Sequence, residues 1–344
     1  MTVDKLTVRP VDDDRWDDWT ALVDCHPWST VFHTRGWLRA VDSTFGYESR
    51  HAIAYDGSRP IAAIPGFAVP ALFGESIVNP FCEYGFPLIR EGVSGPDLLV
   101  ELRDEVGPLG AWIVKDVDWS RIGGYATAEY GGVETGTSIR LRLDRPYEEL
   151  WESTVDGDVR RSVRKAERSG VEVTEGDVDA FYPHYRDAMY RLGSPQFPRA
   201  FFEVLDEALG DVVTILTAQL DGDTIGAALV FERRATTIWL PATRRDRWEH
   251  RPTHALYATA IERACRDGRS AVDFGRSRPG SSVHDFKTQF GGIAHRLTSY
   301  VWPPHRAERA SLSEYDRVAP LTRRAARIVT HPRIGPMLKE RIHE

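Results

Sequence analysis

The side chains with the most direct chemistry lie in one segment, residues 271–292, which reads AVDFGRSRPGSSVHDFKTQFGG. Its apolar start predicts a short buried strand that turns at Gly275 and presents Arg276 and Ser277 at its end. Lys287 follows further along the same segment. A lysine ammonium held beside a reacting carbonyl can stabilise the oxyanion of an acyl transfer. Arg276 and Lys287 are therefore the candidate catalytic residues.

A purely structural interpretation of these two cations stays open. Arg276 would then pair with Asp273 or Asp285, and Lys287 would be solvated. The sequence excludes three better-known types of site. Ser281 stands where a phosphate-binding P-loop requires lysine, the final glycine of a GxSxG nucleophile elbow is missing, and no GxGxxG occurs.

The sequence HDFKTQFGG predicts a short helical turn after the strand. Phe286 and Phe290 are four residues apart and would face the core, so that Lys287 would point elsewhere, toward the strand ends. We count Ser277, Phe286 and Gln289 as candidate substrate-binding residues beside it.

A second candidate site is the basic stretch DVRRSVRKAERSG, residues 158–170. Helical spacing puts Arg161, Arg164, Lys165 and Arg168 on adjoining positions of one face. Such a face binds the phosphates of a nucleotide, a CoA, a tRNA or a lipid headgroup. A solvated charged face is the alternative, and Arg164 and Lys165 are the binding candidates.

A third candidate is the segment NPFCEYGFPL, residues 79–88. Glu83 and Tyr84 lie there at a turn bounded by glycine and proline, where a carboxylate and a phenol could hold a substrate amine. A structural turn explains the same residues. The segment RLGSPQFP, residues 191–198, is equally open between a turn and a substrate-facing loop.

Two segments that resemble each other must position these side chains. HAIAYDGSRPIAAIPGF and LTAQLDGDTIGAALVF each read as strand, Asp-Gly turn and strand, which is a strong hairpin signal. Each follows a helical stretch and precedes further strand-like sequence. This weak internal repeat predicts two related units of roughly 150 residues.

The second unit is the clearer one. Its order of three strands, helix 252–268, strand and helix indicates an α+β sheet and not a doubly wound array. The join falls near residues 143–170. We therefore predict domains over 1–145 and 146–305, followed by a basic helical tail over 306–344 that docks on its own domain or touches an anionic membrane surface.

The whole chain has 344 residues, 42% hydrophobic and 28% charged, which is typical of a globular protein. Its three cysteines and 11 histidines form no zinc-type spacing, so we expect no metal. The net charge of −7 argues against DNA as a partner. No apolar run is long enough to span a bilayer and the start has no signal-peptide core, so we expect a cytoplasmic protein.

The order of the motifs resembles the FemAB/FemX-like branch of the GNAT acyltransferase superfamily. The resemblance rests on STVFHTRGWLRAV, NPFCEYGFPL, RRSVRKAERSGVEV, LGSPQFP and VDFGRSRPGSSVHDFKTQFGG, and it spans roughly residues 28–302. The chain is similar to the shorter members labelled BioF2-like or cellulose-biosynthesis-type acetyltransferase domains.

The resemblance implies two tandem GNAT-like domains, each a mixed, mostly antiparallel sheet flanked by helices. It also implies transfer of an acyl or aminoacyl group to an amine of a cell-envelope or polysaccharide or peptide precursor, by direct attack of the amine. Lys287 matches the lysine of the family's Phe-Lys motif and would stabilise the oxyanion. A non-catalytic module that binds a polyanionic or lipid-linked glycan intermediate is the alternative.

Two departures from the relatives leave the donor open. The loop that grips the CoA pyrophosphate, Q/RxxGxG/A, should precede the helix at residue 252, but the sequence there is RRDRWEHRPTHAL. The coiled-coil arm of the peptidoglycan-bridge enzymes has no counterpart between Gly170 and Leu192. We expect no permanently bound cofactor and either acyl-CoA or aminoacyl-tRNA as co-substrate. The acceptor would be a small or lipid-linked molecule, and tRNA contact and the oligomeric state stay open.

Overall fold

A computed structural model of the chain describes residues 6–71, 74–93, 96–107, 110–120, 122–124, 129–307, 329–331 and 334–340. These residues fall into two compact units. The first comprises 6–136, 296–307 and Glu340, and the second comprises 137–295 and 329–339. The domain limits predicted from the sequence stay predictions.

Both units contain strands and helices. The strands are β1 (Leu6–Pro10), β2 (Glu48–Ser49), β3 (Ala52–Asp56), β4 (Arg59–Ile64), β5 (Phe67–Ala71), β6 (Gly74–Val78), β7 (Leu88–Ile89), β8 (Ala111–Val117), β9 (Gly131–Arg142), β10 (Glu172–Gly176), β11 (Val213–Leu220), β12 (Asp223–Glu232), β13 (Thr236–Thr243), β14 (Ala271–Ser277) and β15 (Ile293–Trp302). The α-helices are α1 (Trp16–Cys25), α2 (Arg35–Phe45), α3 (Pro96–Val106), α4 (Tyr147–Ser153), α5 (Gly157–Arg168), α6 (Val178–Leu192), α7 (Arg199–Leu209), α8 (Pro252–Arg266), α9 (Ser282–Thr288) and α10 (Ile334–Lys339). This mixed α+β content, with mostly antiparallel pairing, confirms the predicted fold class.

The first unit contains the first of the two predicted hairpins. β3 and β4 pair antiparallel around the predicted Asp-Gly turn, where Gly57 has a φ of +63°. Within this unit β1, β3, β4 and β7 form one sheet, and β15, β8, β6, β5 and β2 follow one another in a second sheet. Trp19, Trp37 and Trp112 are at most 1% exposed and fill its core.

The second unit contains the second hairpin and the predicted meander. β10, β11, β12, β13, β14 and β9 lie side by side in that order, and only the β13–β14 pair is parallel. Asp221 and Gly222 turn the β11–β12 hairpin with φ values of +52° and +83°. Since Asp-Gly tolerates positive φ at both central positions, the turn follows directly from the sequence.

Helices cover both faces of the sheet in the second unit. Successive side chains of a strand point to opposite faces of the sheet, so neighbouring residues of β13 contact the elements on opposite sides. Ile238 belongs to the buried cluster that includes residues of α5 and α8. Trp239, next to it, contacts the rings of Phe197 and Phe201 instead. β13 therefore lies between two packed layers.

Most of the tail predicted over 306–344 lies outside the described residues. The part that is described, α10, packs on the second unit. Lys339 is 7% exposed, with its ammonium 4.5 Å from the centroid of the Phe197 ring. Among the residues that can be described, none belongs to a helix long and apolar enough to cross a bilayer.

Candidate active site

The parallel pair of strands positions the predicted site. β13 and β14 pair through Thr236 with Val272 and Thr237 with Asp273, near their starts. Because the strands run in the same direction, their carboxyl ends lie at the same edge of the sheet. Side chains and loops that follow either strand can therefore meet at this edge, which we call the strand-end site.

Both strands are irregular where they approach this edge. The β12–β13 register shifts between Ala227 and Leu229, and Leu240 opposite has a φ of +49°. The β14–β9 register shifts between Asp273 and Arg276, and Gly275 has a φ of +69°. Glycine adopts this left-handed conformation without the steric cost that a Cβ would add. The turn predicted at Gly275 is thus a β-bulge inside the strand.

A buried carboxylate fixes this bulge. Asp273 is 2% exposed, and its Oδ1 accepts hydrogen bonds from the Ser138 hydroxyl at 2.7 Å and from the Gly275 amide at 2.8 Å. A carboxylate that accepts two directed hydrogen bonds holds the backbone around it in one conformation. Arg276 follows the bulge and is half-buried.

Lys287 reaches the bulge from α9. Its side chain is 6% exposed, and its Nζ donates to the carbonyl oxygens of Gly275 at 3.0 Å and Arg276 at 2.7 Å. The alternative that Lys287 is solvated is therefore wrong, and its expected orientation toward the strand end is found. A buried ammonium acts on neighbouring charges more strongly than a solvated one, because the surrounding dielectric is low.

Phe286 and Phe290 pack as the helical spacing predicts. Phe290 is fully buried, and the two ring centroids are 5.2 Å apart. The Phe286 ring also contacts His254 and Tyr257. Burial and the charge of Arg251 lower the pKa of His254 to about 4, so this imidazole is neutral near pH 7. The proposed contact of Phe286 with substrate stays a prediction.

The other predicted residues of α9 and β14 have mixed surroundings. Gln289 is exposed at the end of α9, and its carbonyl accepts from the Asp156 amide at 2.8 Å. Ser277 is 6% exposed, and its Oγ lies 3.3 Å from Nδ1 of His284. Thr137 Oγ1 lies 3.3 Å from the same nitrogen. Sequence reasoning missed His284, although its spacing of three residues from Lys287 on a helix indicates a shared face.

The predicted basic face forms on α5. Arg164 and Lys165 are exposed, whereas Val159, Val163 and Ala166 on the opposite side of the helix are buried. Arg161, on the same face, pairs with Asp158. No hydrogen bond joins Arg164 or Lys165 to the strand-end residues within the described ranges. Phosphate binding by this face stays a prediction.

Glu83 and Tyr84 belong to the first unit. Tyr84 is 2% exposed, and its ring contacts Phe32 and Trp119. This placement favours a packing role for Tyr84 over contact with a substrate amine. Glu83 is half-buried. Its role in holding an acceptor stays a prediction.

A cleft that the sequence did not reveal opens beside the loop between β13 and α8. It has a volume of about 570 Å³ and is lined by Asp187, Arg191, Arg244, Arg245 and Asp246. This loop is the segment in which the resemblance led us to expect Q/RxxGxG/A, and two of its arginines, Arg244 and Arg245, line the cleft.

An exposed indole stands beside that cleft. Trp248 is 50% exposed, and the guanidinium carbons of Arg191 and Arg245 lie 5.8 and 5.9 Å from its ring centroid. Its Nε1 donates to Thr243 Oγ1 at 3.0 Å, which ties the loop to the end of β13. In the part of the chain that the structure describes, no group of three or more His, Cys, Asp or Glu side chains could hold a metal ion.

Residues 154–288 match the family model described as the acetyltransferase (GNAT) domain. No curated protein is detectably similar in sequence. FemX matches with a TM-score of 0.65 and 13% identity, over 89% of this chain and 100% of that one.

Two further solved structures are similar. The C-terminal domain of a protein described as a lysylphosphatidylglycerol synthetase from Agrobacterium fabrum has a TM-score of 0.56 and 14% identity, over 86% of this chain and 94% of that one. A tandem GNAT protein from the clavulanic acid biosynthesis pathway has a TM-score of 0.53 and 13% identity, over 86% and 98%.

These matches confirm the predicted resemblance in fold to FemX and to a tandem GNAT protein, with a GNAT domain matched at residues 154–288.

Proposed function

We propose that this protein transfers an acyl or aminoacyl group to the amine of a cell-envelope, polysaccharide or peptide precursor. The observation that carries the proposal is the strand-end site, where a buried ammonium is held by two consecutive carbonyls of a bulged strand. The amine would attack the activated ester or thioester directly, so that no enzyme nucleophile is needed. Negative charge then develops on the acyl oxygen, and the fixed positive charge of Lys287 stabilises it.

In this proposal the acyl donor is a molecule that contains phosphate groups. Arg245 lines the cleft beside Trp248, and it makes no ion pair with any residue that the structure describes. A guanidinium in this position suits a phosphate group, and an exposed indole suits a planar base. Both acyl-CoA and aminoacyl-tRNA offer these two features. Arg276, Arg164 and Lys165 remain further candidates for binding phosphate or carboxylate groups.

One solved structure of similar fold is a tandem GNAT protein whose description mentions AcCoA. Another is named for lysylphosphatidylglycerol, an aminoacylated lipid, and its name states no donor. For the present chain we keep acyl-CoA and aminoacyl-tRNA as donors, together with small-molecule and lipid-linked acceptors.

A non-catalytic module that binds a polyanionic or lipid-linked glycan is the second candidate function. The exposed cations of α5 favour it, because Arg164, Lys165 and Arg168 have no ion-pair partner among the described residues. Such a protein would hold its ligand with strong salt dependence and turn nothing over.

One assay separates the two functions. Labelled acyl-CoA and labelled aminoacyl-tRNA are offered in parallel to the purified full chain, with amino sugars, peptides and a lipid-linked amino sugar as acceptors. We expect label to move from one donor class to an amine. Salt-dependent retention of the lipid-linked acceptor without label transfer from either donor would instead support the binding module.

A further inference from the structure

The imidazole of His284 contacts Ser277, the residue of β14 that directly follows the two whose carbonyls Lys287 engages. Lys287 donates to the carbonyls of Gly275 and Arg276, and His284 contacts the hydroxyl of Ser277. His284 and Lys287 are three residues apart on α9, so they share one face of that helix. A titratable group and a fixed positive charge are thus placed side by side at the strand end.

Two hydroxyls engage one nitrogen of this imidazole. Ser277 Oγ and Thr137 Oγ1 each lie 3.3 Å from Nδ1, and both residues are less than 10% exposed. Thr137 Oγ1 also lies 3.4 Å from the carbonyl oxygen of Ser277, to which only a hydroxyl proton can be donated. With its proton used there, Thr137 Oγ1 is left to accept from Nδ1–H.

The other ring nitrogen is differently placed. Among the described residues, Nε2 of His284 has no hydrogen-bond partner, and the side chain is only half-buried. If Nδ1 carries the proton, Nε2 carries a lone pair directed away from the two hydroxyls. That is the form in which an imidazole accepts a proton from a reactant.

We propose that His284 is the general base of the transfer, an inference that rests on the proposed function. The attacking amine forms the N–C bond, and the carbonyl electron pair moves onto oxygen, where Lys287 stabilises the charge. One N–H proton passes from the amine to Nε2. The carbonyl re-forms as the bond to the thiolate or ribose oxygen breaks, and the leaving group takes the proton from His284. Ser277 and Thr137 are positioning residues.

His284 and its two hydroxyl partners lie on α9, β14 and β9. Within the second unit, the charged residues of these elements and of the turn after β14 are Asp285 and Lys287 on α9, Asp273 and Arg276 on β14, Arg278 in the turn, and Arg140 and Arg142 on β9.

The first measurement needs no substrate and no variant beyond the one used for assignment. Long-range ¹H–¹⁵N correlation spectra of the full chain, labelled in histidine, report which ring nitrogen carries the proton. The His284 signal is assigned by its absence in H284Q. We expect the Nδ1–H tautomer in the neutral form. An Nε2–H tautomer overturns the proposal, since no lone pair would face the reactant.

The second measurement is kinetic. H284Q should lower kcat by a factor on the order of 10²–10⁴, and its pH profile of kcat/KM should contain one ionisation fewer than that of the wild type. Added imidazole should restore part of the rate. H305Q, which changes an exposed histidine of the first unit, is the matched control and should behave as the wild type.

The outcomes separate the two proposals. If the wild type transfers label and H284Q and H305Q have equal rates and equal pH profiles, His284 is not the general base. The proposed transferase function is then unaffected. An acyl group trapped on Ser277 also overturns the proposed role of His284, because Ser277 would then be a nucleophile and not a positioning residue. Failure of the wild type to transfer label from any donor overturns the proposed function and the base together.

Discussion

Lys287 combines two roles that a single substitution would confuse. Its ammonium satisfies two backbone carbonyls of the bulge, and the proposal also asks it to stabilise a developing charge. Buried carbonyls that lose their donors cost stability, whereas loss of the charge costs rate. The two effects must therefore be measured separately.

We predict that Lys287→Met loses both activity and stability. The methionine keeps the apolar stem but removes the charge, so kcat should fall on the order of 10²–10³-fold, as for other oxyanion-stabilising donors. The free energy of unfolding should fall by about 1–3 kcal/mol, since two carbonyls lose a donor. Label transfer and chemical denaturation give the two numbers.

Thr214→Val is the matched control for this variant. It removes the hydroxyl that donates to the buried carboxylate of Glu232 at 2.6 Å, elsewhere in the second unit. It should lose a similar amount of stability, on the order of 1–3 kcal/mol, and keep the wild-type kcat. Equal kcat values for both variants would contradict a catalytic role for Lys287.

At the scale of the element, the bulge in β14 places the two carbonyls that hold Lys287. Gly275 has a φ of +69°, and a Cβ built there would meet nothing closer than the Ile238 carbonyl oxygen at 3.9 Å. Gly275→Ala therefore introduces backbone strain without a clash. We predict a loss of about 1–2 kcal/mol in the free energy of unfolding. We also predict a fall in kcat, because the carbonyls that hold Lys287 would rotate.

Gly268→Ala tests whether strain alone explains that fall. Gly268 follows α8 with a φ of +66°, and nothing lies within 4 Å of its Cβ position. The stability loss should be similar, while label transfer should continue at the wild-type rate. A Gly275→Ala variant that is as active as Gly268→Ala would show that the bulge does not align the site.

The sequence predicted the elements of the second unit well because its signals are local. Asp-Gly turns set the hairpins, Pro252 begins α8, and Gly268 follows the end of that helix at Arg266. The direction of Lys287 followed from the spacing of Phe286 and Phe290. These features depend on residues that are neighbours along the chain.

The features that the sequence did not reveal depend on distant residues. The contact of His284 with Thr137 joins α9 to a strand far earlier in the chain, and the cleft joins Arg191 on α6 to the loop after β13. Tyr84 was considered a ligand for an amine, but burial among aromatic rings is decided by tertiary packing. No local spacing encodes these pairings.

At the scale of the whole molecule, the buried His51 and the half-buried His254 make stability depend on pH. Burial lowers the pKa of His51 in the first unit to about 3, and burial lowers that of His254 in the second to about 4. Asp116 has the opposite effect, because burial raises its pKa to about 6. In the unfolded chain the pKa values of all three groups return to their ordinary values, ~6.5 for histidine and ~3.9 for aspartate.

The sign follows from which state binds the proton first. Below pH ~6.5 the unfolded histidines bind protons while the folded ones stay neutral, so stability present above that pH is lost as the pH falls toward 4. Asp116 is protonated first in the folded state, so it adds stability as the pH falls from about 6 toward 4. On acidification the two histidines lower the free energy of unfolding and Asp116 raises it. We therefore predict a net loss of stability.

Urea unfolding at a series of pH values between about 7 and 4 tests this prediction. The midpoint should fall with pH in the wild type, and it should fall less in His51→Phe, which removes one of the two histidines. It should fall more steeply in Asp116→Asn, because that change removes the only opposing group of the three. A wild-type midpoint that stays constant or rises on acidification would contradict the assignment of His51 and His254 as neutral groups in the folded protein.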